Sequence, residues 1–380
     1  MTIYSRPLRL KVGVTIYLRG DAQSIWENGI FQNCFFLLML LRRSPLVESC
    51  FLVNGGPGDV AQAGDFAAQS PAPIIGLDAA MNELDLVIEM SAQLDPAWTR
   101  AFHEKGGRIV SMRVANDLVI DAERMAYGLS HGLLMSGSPY DAIWMLPAFE
   151  ESCAGYYALG ARAPVRVVQH LWSPHFVGKS VSARGGAFAY EPGRKRWRLA
   201  IMEPNICSVK ACHLPMLAAD LAYRRDPGAI EVLRVFNTLQ LKEHAGFVGF
   251  STSLDLVRHG LASFEGRFPI FDILQKEADA LVSHHWLNAQ NYLYYEALWG
   301  GFPLIHNSTM IGDCGYRYRD FDCEDGALAL LQAKREHDAS LDAYRRTANA
   351  FLATLDPESA ANIALYGAEI ARVFEAEAVA

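Results

Sequence analysis

Neither a Cys-x-x-Cys pair nor a Gly-x-Gly-x-x-Gly or Walker spacing occurs in this chain, and basic residues are not in excess. The seven cysteines, at positions 34, 50, 153, 207, 212, 314 and 323, are odd in number and irregularly spaced. That pattern suits neither a disulfide framework nor a zinc site, and reads as reduced, mostly buried thiols of a cytoplasmic protein. Lys and Arg number 34 against 42 Asp and Glu, a net charge of −8. Such a balance opposes broad attraction to nucleic acid or anionic lipid, while local basic pockets stay open. The longest apolar run, residues 34–41, falls far short of the roughly 18–20 residues a membrane span requires. A buried helix accounts for it; no integral span is expected, and peripheral membrane contact is left open. Residues 1–11 carry Arg6 and Arg9 with no apolar region behind them, which argues against a secretion signal. Low-complexity tracts and short tandem repeats are missing too. With 51% hydrophobic and 20% charged residues and scattered Gly and Pro, disorder and coiled coil are improbable.

What the chain does have is an alternation of short β-branched runs and helical segments. Residues 11–18 (KVGVTIYL) read as a strand, 19–29 as a polar loop, and 30–41 as an apolar helix ending near Ser44-Pro45. Strands follow at 48–53, 74–75, 84–89, 108–113, 142–146 and 165–168. The helix 95–105 has Asp95 as cap, Pro96 in its first turn and Gly106-Gly107 as its stop. Continuous apolar strands separated by helices predict a parallel sheet covered on both faces. At 380 residues the chain exceeds one core of about 100–200 residues, so two domains are expected. Residues 179–197, rich in Gly, Ser, Ala and Arg, are the linker candidate. The expected division is therefore 1–178, the linker 179–197, a second domain 198–356, and a terminal helix 357–380 packing back toward the first domain. The second domain repeats the alternation, with strands at 198–202, 230–236, 247–250, 261–264, 280–283 and 302–306. Helices are read near 209–223, at 254–259, at 270–276 and at 291–299. Open parallel sheets bind ligands beyond the carboxyl ends of their strands, so two such α/β domains are expected to face a shared cleft.

Residues 269–308 (PIFDILQKEADALVSHHWLNAQNYLYYEALWGGFPLIHNS) resemble the donor-binding half of GT-B glycosyltransferases. The shared order is a helix, a short strand, a polar loop at a helix start, an acid followed by Ala-Leu, then Gly, Pro and a buried strand. Here these are 270–276, 280–283, 288–291, Glu296-Ala297-Leu298, Gly300 with Gly301, Pro303 and Leu304-Ile305. The stretch 315–331 (GYRYRDFDCEDGALALL) is similar to the loop and helix after the donor site. The whole pattern, including Met202-Glu203-Pro204-Asn205 and Asn28-Gly29, also resembles a poorly characterised group of bacterial GT-B-like proteins. The resemblance covers most of 196–335, and the first half only in architecture.

This resemblance implies two Rossmann-like domains and a glycosyltransferase that moves a sugar from a nucleotide-diphosphate sugar to an unknown acceptor hydroxyl, in glycan or glycoconjugate assembly. No further cofactor and no metal are implied. Glu296 would hold the ribose hydroxyls, since an ionised carboxylate accepts from two neighbouring hydroxyls. Many retaining members carry a second acid eight positions earlier; here that position is Asn288. Backbone amides at Gln290 and Asn291 would hold the diphosphate at a helix start, Lys210 would neutralise the leaving diphosphate in place of a metal, and Arg267-Phe268 would seat the base. Asn205 and His284 complete the donor-side candidates.

For the general base the candidates are Asp21, Glu27 and Glu89, each following a strand of the first domain, because a desolvated carboxylate moves toward useful base range. His131 and His285 are alternative polar groups. Other readings stand beside these. Acids after strands are often helix caps, adjacent histidines on a strand point to opposite faces and poorly share one ion, and residues 55–58 (GGPG) are by default a tight turn. Tyr292, Tyr294 and Tyr295 fit helix packing as well as sugar stacking. Asp320-Phe321-Asp322 has the spelling of a metal-binding motif but falls in a late loop. The alternative functions are a nucleotide-sugar epimerase of the same fold and a non-catalytic binding or scaffold protein. The sugar, base, acceptor, stereochemical course and oligomeric state leave no mark in the sequence.

Overall fold

A computed structural model describes residues 9–129, 136–274 and 276–375. The chain forms two compact units, Met1–Ser173 with Thr354–Ala380, and Pro174–Ala353.

Unit 1 carries β1 (Leu10–Ile16), α1 (Gly29–Leu41), β2 (Val47–Asn54), α2 (Gly64–Ala68), β3 (Ile74–Gly76), α3 (Leu77–Glu83), β4 (Leu86–Glu89), α4 (Pro96–Glu104), β5 (Arg108–Arg113), α5 (Asp117–Ala126), β6 (Ala142–Met145), α6 (Glu150–Ala161) and β7 (Val165–Val167). All seven strands run parallel in the order β3-β2-β1-β4-β5-β6-β7. Central strands such as β4 (LVIE) and β6 (AIWM) are buried throughout, as strands covered by helices on both faces must be. Burial all round α1, including Phe35, Phe36, Leu37 and Leu38, explains the apolar run. Asn28 caps this helix by accepting from the Ile30 amide at 3.2 Å, and Asp95 caps α4 by accepting from Ala97 at 2.7 Å.

Unit 2 carries α7 (His175–Ala183), β8 (Trp197–Ile201), α8 (His213–Arg225), β9 (Ile230–Val235), α9 (Ala245–Ser251), α10 (Asp255–Arg258), β10 (Ala262–Phe264), α11 (Ile270–Ile273), β11 (Ala280–Val282), α12 (Tyr292–Trp299), β12 (Leu304–His306), β13 (Tyr316–Arg317) and α13 (Cys323–Ala353). Its six strands are again parallel, in the order β10-β9-β8-β11-β12-β13. A last helix, α14 (Ala360–Glu375), belongs to unit 1. There Tyr366 donates to the Gln169 carbonyl at 2.7 Å and meets the Trp144 ring edge-on at 5.7 Å.

Two segments differ from expectation. Residues 247–250, read as a strand, lie inside α9. A short apolar run fits a buried strand or a helix face equally, and only length and flanks arbitrate. Residues 179–197, read as a linker, begin as the end of α7, and Phe188 and Tyr190 are then buried in unit 2. Phe188 stacks on Trp299 at 5.9 Å and Tyr190 donates to Asp338 at 2.7 Å. A few aromatic anchors spaced among small residues are enough to pin a segment whose composition otherwise suggests a tether.

Candidate functional site

In unit 2 the strand order reverses direction between β8 and β11, the switch point where open parallel sheets leave a crevice beyond their carboxyl ends. Glu203 follows β8 there, and Ser283, His284 and His285 follow β11. Glu203 is 1% exposed. Its Oε1 accepts from the Ser283 hydroxyl and, at 3.2 Å, from the His284 amide, while Oε2 is buried with no partner. Burial pushes this carboxyl up to about 7 against the opposing pull of Ser283, Lys210 and the His284 amide. Lys210, half-buried in the loop after β8, has no hydrogen-bond or ion-pair partner for its ammonium among the described residues. Desolvation lowers its pKa, and the charges of Glu203 and Cys207 oppose that shift.

The loop from β11 to α12 is tied down on both sides. Asn307 accepts from the His285 amide at 3.0 Å and donates to the His285 carbonyl at 2.8 Å, while Ser308 donates to the Ala289 carbonyl at 2.7 Å. Leu287 sits at φ +51°, a left-handed conformation that costs a Leu about 1–2 kcal/mol. Strain of this kind clusters at ligand sites. Asn291 caps α12 by accepting from Leu293 at 3.2 Å, and its own Nδ2 is buried without a partner. Gln290 bonds the Tyr295 hydroxyl, and Asn288 is buried with its amide donating to His285 Nδ1 at 3.2 Å.

Glu296 lies on α12, only 3% exposed. No described group hydrogen-bonds its carboxylate, and burial alone pushes it up to about 8. A carboxyl so poorly solvated, with no side chain or amide to hold it, is costly to ionise.

The other donor-side candidates separate into two kinds. Asn205, at φ +55°, donates to the carbonyls of Glu203 at 2.9 Å and Asn237 at 3.1 Å and accepts from Cys212 at 2.8 Å. Its side chain shapes the loop and has no hydrogen left for a ligand. Arg267 and Phe268 are exposed just beyond β10, where Phe268 meets Phe236 edge-on at 6.2 Å. The Asp320-Phe321-Asp322 spelling resolves into local structure: Asp322 pairs with Arg319 at 3.2 Å and accepts from the Asp325 amide at the start of α13.

In unit 1 the three base candidates differ from the desolvated, unengaged carboxylate their assignment needs. Asp21 is exposed and pairs with Arg19 at 3.0 Å. Glu27 is held by the same Arg19 at 2.7 Å and by the Ser24 amide at 3.0 Å. Glu89 is buried but fully engaged, accepting from Tyr140 at 2.8 Å, Leu94 at 2.9 Å and Ser111 at 3.2 Å, with Arg113 at 3.6 Å. Three donors and a guanidinium hold it in place. The glycine turn at 55–58 serves close packing, since a Cβ on Gly56 would stand 2.2 Å from the Leu18 carbonyl oxygen. His131 lies outside the described residues. A cavity lined by Ser136, Pro139, Tyr140 and Arg162 contains none of the candidates.

The family model described as "Protein of unknown function (DUF2827)" matches residues 12–370. The chain belongs to this family. No curated protein matches it in sequence. Among solved structures, HepE of Anabaena in complex with UDP-glucose superposes with a TM-score of 0.56 at 11% identity, over 97% of this chain and 100% of HepE. A glycosyltransferase from Rickettsia africae gives 0.55 at 11% identity, over 97% and 99% of the two chains. TarM of S. aureus gives 0.50 at 12% identity over 74% of this chain, which spans about half of TarM, 54%. These likenesses show the fold: it is that of the GT-B glycosyltransferases.

For this DUF2827 chain, sequence reasoning left Glu203 and Ser283 out of the candidate set. A glutamate one residue after Met202 at the end of an apolar strand was the available signal, but the pairing with Ser283 joins two strands 80 residues apart. Around the carboxyl edge of this sheet Glu203 Oε2, Asn291 Nδ2 and the Nε2 atoms of His284 and His285 are buried without a partner, and Glu296 lies in the second turn of α12. Among the described residues no group of three or more His, Cys, Asp or Glu is arranged to hold a metal ion.

Proposed function

We propose that this protein is a glycosyltransferase whose unit 2 binds a nucleotide-diphosphate sugar. In this reading Glu296 takes the ribose hydroxyls, and Lys210 with the amide groups of Asn291 takes the diphosphate. Arg267 and Phe268 stand beside the base. Lys210 neutralises the departing diphosphate, so that no metal is required for that step. Unit 1 receives an acceptor hydroxyl. The observation that carries the reading is the Glu296 carboxylate, buried and without a partner in the position that the resemblance gives to ribose binding. HepE, crystallised with UDP-glucose, makes UDP and UDP-glucose the first probes.

A thermal-shift screen of nucleoside diphosphates and nucleotide sugars tests the binding step, because a ligand specific to the folded state raises its melting temperature by mass action. A nucleoside diphosphate should stabilise the wild type, and Glu296→Ala should lose most of that gain. Slow release of nucleoside diphosphate from the sugar donor then supports transfer, whereas an interconverted sugar supports epimerisation. Asn288 in place of an acid, together with the engaged unit 1 carboxylates, favours a second reading, a nucleotide-sugar binder without turnover. Binding with no product of either kind would select it, and a wild type indifferent to every nucleotide would remove the donor assignment.

A further inference from the structure

We infer that His284 and His285 are held in opposite neutral tautomers and together recognise a ligand bearing a hydrogen-bond donor and an acceptor, a sugar hydroxyl at His284 and a phosphoryl oxygen at His285. The ligand's identity rests on the proposed function; the tautomers do not.

The assignment follows from counting protons. The Tyr318 hydroxyl has one proton, and it points at the Ser283 carbonyl at 2.9 Å, which can only accept. The contact between Tyr318 oxygen and His284 Nδ1 at 3.0 Å therefore needs its proton from the ring. His284 carries hydrogen on Nδ1, and its Nε2 is a bare acceptor. His285 is the reverse, for its Nδ1 accepts the Asn288 amide at 3.2 Å and must keep its lone pair. The hydrogen of His285 is on Nε2, a donor. Desolvation keeps both rings neutral, pushing His284 down to about 4 and, with the nearby charges of His284, Lys210 and His306, His285 down to about 3.

Both Nε2 atoms are buried with no partner. That is not a general property of imidazoles in this unit. His306 is satisfied on both nitrogens, by the Cys314 carbonyl at 2.9 Å and the Ser308 amide at 3.0 Å. So is His337, by Tyr316 at 3.1 Å and the Gly301 carbonyl at 3.0 Å. Among the described residues, the two rings with a buried nitrogen left without a partner are the two at the sheet's switch point. A donor at His285 beside the Lys210 cation suits an anionic oxygen. The acceptor at His284, packed edge-on against Phe321 at 4.8 Å, suits a neutral hydroxyl.

Long-range 1H–15N spectra of the full chain labelled at histidine distinguish the tautomers directly. Without ligand, His284 should be protonated on Nδ1 and His285 on Nε2; the same tautomer on both rings, or the reverse pair, overturns the inference. UDP should move the His285 Nε2 resonance alone, and UDP-glucose both; GDP and GDP-mannose replace them where only guanine nucleotides stabilise the wild type. His284→Leu should cost UDP-glucose about tenfold in affinity while sparing UDP, and His285→Leu should weaken both alike. His284→Gln, which can accept at the same place, should restore most of the loss. If a nucleotide stabilises the protein yet neither Nε2 responds, the two atoms do not face the ligand and the inference falls while the proposed function stands. A wild type that no nucleotide stabilises removes the proposed function and the ligand assignment together, and the ligand-free spectrum still decides the tautomers.

Discussion

Replacing Glu296 with Gln should make the ligand-free protein more stable, by an amount that depends on pH. Its folded carboxyl is raised from an ordinary 4.5 to about 8. Below pH 4.5 the side chain is neutral whether the chain is folded or not, and there is no penalty. Between 4.5 and about 8 the unfolded chain releases the proton and the folded one keeps it, so stability falls as pH rises; above 8 the loss is constant. Each pH step inside that window is worth about 1.4 kcal/mol, which accumulates to about 3 kcal/mol by pH 7. Gln keeps the shape and never ionises. Urea unfolding of wild type and Glu296→Gln at pH 5 and pH 7.5, followed by a signal from unit 2, reads the difference. The Gln variant should lead by less than about 1 kcal/mol at pH 5 and by about 4 kcal/mol at pH 7.5. A gap of the same size at both pH values, or a less stable Gln variant throughout, would refute the reasoning. Glu203 titrates through part of the same window in both proteins, so it cancels from the comparison. The variant should also bind UDP more weakly, setting stability against function in one side chain.

Lys210→Met should weaken UDP binding by about ten- to a hundredfold, as loss of a charged hydrogen bond does, and should flatten the dependence of Kd on salt in calorimetric titrations. For Glu89→Gln, loss of the buried charge that Tyr140, Leu94 and Ser111 hold beside half-buried Arg113 should cost about 1–3 kcal/mol in urea while UDP affinity stays unchanged; lost turnover at unchanged stability would return Glu89 to the base assignment. On the acid side, burial pushes the His337 ring down to about 4 from 6.5, so the unfolded chain takes up a proton that the folded ring refuses. Stability should fall by about 3 kcal/mol between pH 6.5 and 4 on this account, and His337→Gln should shallow that slope in a pH series of melting curves.

Both sheets were readable from the sequence where strands are apolar throughout, as in β6 and β11, because full burial leaves a signal in a few adjacent residues. So was α1, whose cap and apolar run sit side by side. What stayed illegible depends on partners distant in sequence. The helix over 247–250 looks like a strand until its neighbours are known. Glu89 looks like a free acid until Tyr140, 51 residues away, is seen donating to it. Glu203 acquires meaning through Ser283, and Asn205 spends its amide hydrogens on the carbonyls of residues 203 and 237. Glu296 was singled out by the order of features around it; its burial without a partner is a property of packing that no local pattern encodes.

The chain leaves unit 1 at Ser173, completes unit 2, and comes back at Thr354. Every strand of unit 2 lies between those crossings, so unit 2 can close as soon as its own residues have left the ribosome. Unit 1 cannot. Trp144 and the Gln169 carbonyl wait for Tyr366, close to 200 residues downstream, before α14 covers them. The half made first during synthesis is thus the half finished last, and a nascent chain stalled before α14 would leave Trp144 on β6 and the Gln169 carbonyl without their cover.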